Sequence, residues 1–323
     1  MRIGFAKVCA RGTAMTSNTA TMTGSLAGPS IWSRMMAGQT GPVCVVLIAL
    51  FVLWYVGAVF MNAPTQIDKY NRADQTWTTS QLIEDTLAQE RPILPAPHQV
   101  AQEMYKTIFA TKITSKRSLV YHSWVTLSST LLGFGIGTIL GIVLAVGIVH
   151  VMTLEKSLMP WVISSQTIPI LAIAPMIIVV LGAIGIKGVV PKAVISTYLC
   201  FFPVTISMVK GLRSPQVIQL DLMRTYNASK WQTFWQLRLP SAMPYLFASL
   251  KVAIAISLVG AIVGELPTGA QAGLGARLLA GSYYGQTIQI WSALLTAAFV
   301  AAMMVVIVGW FERRVLACMG VKS

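Results

Sequence analysis

The side chains that could handle a proton, an ion or a polar solute are few in this chain, and most interrupt apolar sequence. Ser164, Ser165, Gln166 and Thr167 stand just before Pro169, and Glu265 ends a long apolar run. Polar groups embedded this way are costly without partners, so each marks either helix-to-helix hydrogen bonding or a polar path through hydrocarbon. A backbone broken at Pro169 would add carbonyls or amides to the same cavity. Ser165, Gln166, Thr167, Pro169 and Glu265 are therefore the candidate pathway or gate residues. Glu265 is expected either to pair with a cation such as Arg277 or to help close an external gate.

Other chemistries find little support. The phosphate-binding pattern of two glycines followed by Lys-Ser/Thr does not occur; Gly182-Ala-Ile-Gly-Ile-Lys187 has the lysine without the spacing or the hydroxyl that magnesium needs. The chain is expected to hydrolyse no ATP and to bind no cofactor. His98, His122 and His150 are scattered, with no second ligands at metal-binding spacing, so no metal site is expected. Cys9, Cys44, Cys200 and Cys318 fall in tails or apolar spans and read as packing residues. The net charge of +14 is divided among separate flanks, which argues against nucleic acid as a partner.

Composition fixes the solvent that positions these residues. With 55% hydrophobic and 11% charged residues, and several apolar runs near the roughly 20 residues that cross a bilayer, this is an all-α integral membrane protein. Six transmembrane helices are expected, near 43–61, 124–150, 159–183, 189–209, 246–264 and 289–310. The third holds Pro169 and Pro175, so its broken part must face protein or a cavity. In the second, Gly133, Gly137, Gly141 and Ala145 recur every fourth residue as a smooth helix-packing face.

Lys and Arg set the orientation, since cytoplasmic flanks carry the excess. Arg2, Lys7, Arg11 and Arg34 precede the first span; Lys210, Arg213, Arg224, Lys230 and Arg238 oppose a single Asp221 within 210–245; Arg313 and Arg314 follow the last. Six spans place all three on the cytoplasmic side of the membrane, with both termini inside. The first 42 residues are expected to be a disordered cytoplasmic tail, with Met15 or Met22 as alternative first residues. Residues 62–122 form an external segment, with short helices around Leu82–Leu87 and Val100–Ile108 joined by the stiff Ile93-Leu-Pro-Ala-Pro97 connector. Residues 123–314 then form a five-helix core with a cytoplasmic loop at 210–245, and 315–323 a cytoplasmic tail.

That loop is the least ordinary segment. A first helix is expected from about Gln219 to Tyr226 and a second from Ser229 to Leu237, with Asn227 at the bend because asparagine tolerates the left-handed conformation. Ser229 and Gln232 have capping-box spacing. Trp231, Phe234, Trp235 and Leu237 put more apolar surface on the second helix than a solvated loop exposes. It lies either in the membrane interface or against another protein.

These residues resemble the permease subunits of binding-protein-dependent ABC importers. The family's cytoplasmic loop runs Glu-Ala-Ala, three residues, Gly, nine residues, Ile, one residue, Leu-Pro; here Asp221 stands for the acid, Leu222 and Met223 for the alanines, Asn227 for the glycine and Leu237 for the isoleucine, with Leu239-Pro240 closing it. Tyr226, Ala228, Ser229, Trp231 and Phe234 fall within the same motif. The likeness runs from about Leu94 to Arg314 and includes Leu94-Pro-Ala-Pro97, Ile168-Pro169, Ala174-Pro175, Gly264-Glu265 and Gly273-Leu-Gly275. It is most similar to the nitrate, sulfonate and taurine branch. The resemblance implies the type I permease fold, a dimer of cytoplasmic ATPase subunits that hold ATP and Mg, a second permease subunit, identical or different, and an external substrate-binding protein. It also implies that loop 210–245 couples the ATPases to the membrane helices, carrying a small anion or a small heterocycle. A secondary transporter or channel working without ATP is the alternative.

Overall fold

The computed structural model describes residues 40–267 and 272–320, and every regular element among them is helical. The expected disorder before residue 43 falls almost wholly outside this range. Two units are present, one through Val52 and one from Leu53 onward. The first is described as the opening turns of α1 (Thr40–Arg72), whose Val43, Val46, Ile48 and Val52 are all exposed. An apolar surface of this kind suits hydrocarbon, where a helix satisfies its own backbone.

Helix α1 continues eleven residues past its expected end at 61, and buried Asn62 explains why. Its amide donates to the Leu94 carbonyl at 2.8 Å and accepts from the Ile93 and Leu94 amides at 2.7 and 3.1 Å. The polar turns beyond the apolar run therefore hold the connector in place, with Trp54 Nε1 donating to the Pro95 carbonyl at 3.0 Å. Two short helices follow, α2 (Thr79–Leu87) and α3 (Pro97–Tyr105).

The core is three helices, α4 (Leu119–His150), α7 (Val189–Leu212) and α10 (Leu239–Glu265), with α7 in the middle. On α4 the stripe of small residues meets α7 directly. A Cβ on Gly137 would lie 3.0 Å from Cys200 Sγ and 3.1 Å from the Thr197 carbonyl, and one on Gly141 2.9 Å from Val204; on Gly133 it would strike Ser196 and the Ala193 carbonyl. On the other side Gly260 and Gly264 let α10 approach Ser196 and Lys192. Lipid offers no hydrophobic drive for helix association, so this close fit and the hydrogen bonds that run through it carry the packing. Thr197 donates to the Gly133 carbonyl at 3.1 Å, Ser196 to the Ser257 carbonyl at 2.9 Å and Ser257 to the Thr130 carbonyl at 3.0 Å. The glycine face is thus a seam inside one bundle.

The expected third span is two helices, α5 (Met152–Ser164) and α6 (Ile170–Ala183), bent by 101° at a tight turn over Ser165–Thr167. Pro169 caps α6, and Pro175 lies within it without ending it. Helices α11 (Leu274–Tyr283) and α12 (Thr287–Cys318) complete the chain, α12 packing Val300 and Met304 against Ile254 and Leu258 of α10. Among the described residues five helices are long and apolar enough to cross a membrane, and six if the bent pair counts as one span.

Candidate functional site

Loop 210–245 opens where Arg213 caps α7 and Ser214 donates to the Gly211 carbonyl at 2.8 Å. Helix α8 (Val217–Thr225) begins with Gln219 accepting from the Gln216 amide at 2.9 Å. It ends in a closed C-terminal motif. The Ala228 amide donates back to the Met223 carbonyl and the Asn227 amide to that of Arg224, both at 2.9 Å, while Asn227 sits at φ +51°. This is the paired closure that needs a left-handed residue, and the next helix begins three residues later, at Lys230. Ser229 then caps the next helix reciprocally, its hydroxyl accepting from the Gln232 amide at 3.2 Å and its amide donating to Gln232 Oε1 at 2.8 Å.

Beyond the cap the expected second helix does not stop. α9 (Lys230–Thr233) passes through a wide π-turn at Phe234–Arg238 straight into α10, so Lys230–Glu265 is one 36-residue helix and Leu239-Pro240 is no terminator. The physical reason is the π-turn. Proline lacks a backbone donor and clashes with the carbonyl four residues back; a turn widened just ahead of it accommodates both effects.

The loop's aromatic residues divide between two faces. Phe234 packs against the core and meets His150 edge-on at 5.4 Å, whereas Trp231 is 69% and Trp235 50% exposed. Leu222 and Tyr226 are exposed on α8, and Asp221 pairs with Arg224 at 3.2 Å in the open. Ala228, Leu237, Leu239 and Pro240 are half-buried beneath this surface, and Asn227 and Ser229 are exposed at the bend.

At the opposite end of the bundle, Glu265 is fully buried and not free to gate. Its carboxylate pairs with Lys192 of α7 at 3.2 Å, accepts from Thr126 of α4 at 2.9 and 3.0 Å, and accepts from the Gly275 amide at 2.9 Å. The expected partner Arg277 is displaced by Lys192 because Gly264 lets α10 close on α7 there. The Leu274 amide donates to Thr126 at 2.8 Å and the Gly273 amide to His122 Nδ1 at 3.0 Å. Gly273, at φ +129°, lies where any Cβ would strike the Glu265 carboxylate. Four helices are thereby tied through one ion pair.

The other pathway candidates lie elsewhere. Ser165 is half-buried and donates to the Val162 carbonyl at 2.7 Å, Thr167 donates to that of Ser164 at 2.8 Å, and Gln166, Thr167 and Pro169 are exposed. Tyr198 donates to the Ser165 carbonyl and stands six residues along α7 from Lys192, about 9 Å at helical rise, so turn and clamp sit at different depths. Lys192, Thr126 and His122 were not readable as a set. The available signal was Lys192 itself, an isolated cation inside an apolar span that contains no acid.

The bent loop thus sits between two long helices, and residues 137–317, which contain it, match the model of a family described as binding-protein-dependent transport system inner membrane component. The chain belongs to that family. The permease is 32% identical to the riboflavin transport system permease protein of Chloroflexus aurantiacus, over 68% of its own length and 78% of that protein. It is 31% identical to the formylaminopyrimidine transport permease protein of Halalkalibacterium halodurans, over 57% and 68% respectively. It is also 25% identical to the nitrate import permease protein of Synechocystis, over 69% and 78%. It is an ABC transporter permease, with an all-helical fold of that family's type.

Proposed function

We propose that this permease couples ATP binding on a cytoplasmic ATPase dimer to import of a small acceptor-rich heterocycle delivered by an external binding protein, with a second permease subunit completing the pathway. The observation that carries the coupling is the closed bend at Asn227, which joins α8, with Leu222 exposed on it and Tyr226 exposed at its C-cap, to a helix that exposes Trp231 and Trp235. Because Lys230–Glu265 is one helix, a displacement of the docked end moves α10 as a rod. ATP binding then biases a two-state permease by the difference in ATPase affinity for the two states. The heterocycle reading is supported by relatives: the two at 31–32% identity are named for riboflavin and formylaminopyrimidine, the one at 25% for nitrate.

Reconstituted with its ATPase and binding protein, the permease should accumulate radiolabelled formylaminopyrimidine or riboflavin only with hydrolysable ATP. Uptake that continues with a hydrolysis-dead ATPase would overturn the coupling. Uptake of nitrate or taurine alone would overturn the substrate class.

A further inference from the structure

Beside the Glu265 clamp lies a cavity of about 650 Å³ between the ends of α4, α6, α7 and α10. Its walls include Tyr121, Val125, Ile178, Gly182 and Pro191, and Lys192 lines it too. We infer that this cavity is a binding site on the permease for a small planar heterocycle, held by a carbonyl or ring-nitrogen acceptor on the Lys192 ammonium. The inference rests on the import function proposed above and assigns that function a place in the fold.

Three features fix the ligand class. First, Lys192 is almost wholly buried, its side chain 10% exposed, yet among the described residues it spends only two of its three N–H donors, on Glu265 at 3.2 Å and on the Ala272 carbonyl at 2.9 Å. The third is left for a ligand in the cavity that Lys192 lines. Second, Glu265 balances the charge of that ammonium, so the inner end offers a strong donor without net charge, which favours a neutral acceptor over a bare anion. Lys187, at the mouth, has no ion-pair partner among the described residues but is exposed, where water and salt weaken its field. Third, the volume falls within the range of small-molecule sites and far exceeds an inorganic oxoanion, and the Tyr121 ring with Val125 and Ile178 gives a flat ligand apolar surface to cover.

One position allows a test that spares the clamp. Gly182 lines the cavity, and a Cβ there meets no atom within 4 Å, so a side chain can be added at its wall without a clash at the first carbon. In the permease–ATPase complex in nanodiscs, without binding protein, radiolabelled formylaminopyrimidine should bind saturably. Gly182→Trp and Tyr121→Ala should each weaken that binding about tenfold or more, equivalent to about 1.4 kcal/mol. Gly135→Trp, at an equally open glycine outside the cavity lining, should leave binding unchanged. Excess taurine or nitrate should not compete. Binding that ignores both cavity variants, or no binding by a complex that still retains its ATPase, overturns the site while leaving the import reading intact. Competition by nitrate overturns the ligand class. Loss of the ATPase from the wild-type complex would instead count against the import reading.

Discussion

Asn227 shows how much one backbone conformation can carry. It holds φ +51°, where a branched Cβ is unfavourable by about 1–2 kcal/mol, and the two amide bonds closing α8 depend on it. Asn227→Val should leave the protein folded but abolish most ATP-driven uptake, whereas Asn227→Gly should retain it; parallel uptake assays on the two variants check this, and equal activity would sink the hinge. Glu265 makes the opposite case, since its partners are structural. Glu265→Ala strands a buried ammonium at a cost of about 3–5 kcal/mol, while the double change Lys192→Met with Glu265→Met removes both charges and should recover most of the loss. Thermal unfolding in detergent reads the difference. The bend was legible because its determinants lie within six residues, from Met223 to Ala228. The clamp was not, because 73 residues separate Glu265 from Lys192 and nothing local marks them as neighbours.

Among the elements, the helix running from the loop into the membrane changes which aromatic residues matter. Phe234 looked from its spacing like part of the docking surface with Trp231, yet the π-turn rotates it onto the core beside His150. Trp231→Ala with Trp235→Ala should therefore abolish co-purification of the ATPase while leaving the melting temperature of the permease nearly unchanged. Phe234→Ala should do the reverse in part, destabilising by about 2 kcal/mol for a half-buried ring and weakening the ATPase complex only through that loss. Pulldown and melting on the same preparations separate the two. The apolar runs located every long helix but set α1, α10 and α12 too short. In α1, polar turns continue because a distant group, the Leu94 backbone, holds Asn62; in α10, Pro240 is accommodated by the widened turn just before it.

For the whole molecule, the question is whether the 101° bend between α5 and α6 leaves that pair as one crossing. Helix α6 has 14 residues, about 21 Å, too short to cross hydrocarbon about 30 Å thick alone. The pair's two ends decide the matter. Glu155, in the first turn of α5, pairs with Arg213 at 2.7 Å, which fixes the start of the pair beside the end of α7. Gly182, at the far end of α6, shares a cavity with Pro191 and Gly264, beside the start of α7 and the end of α10. The pair therefore runs the length of the bundle opposite in direction to α7, and its bend is spent inside one crossing. Six crossings result, which put loop 210–245 and the end of α12 on one side, with Lys210, Arg213, Arg224, Lys230, Arg238, Arg313 and Arg314 together. That side should be the cytoplasm. A phosphatase fusion after Arg314 should then be inactive and one after Ala73, between α1 and α2, active, with a fluorescent reporter giving the inverse pattern. A re-entrant pair would require five crossings and place residues 155 and 213 about 30 Å apart across the bilayer. Phosphatase activity from both fusions would force that arrangement, whereas activity from the Arg314 fusion alone would keep six crossings in inverted orientation; either result would remove the basis for a cytoplasmic coupling loop.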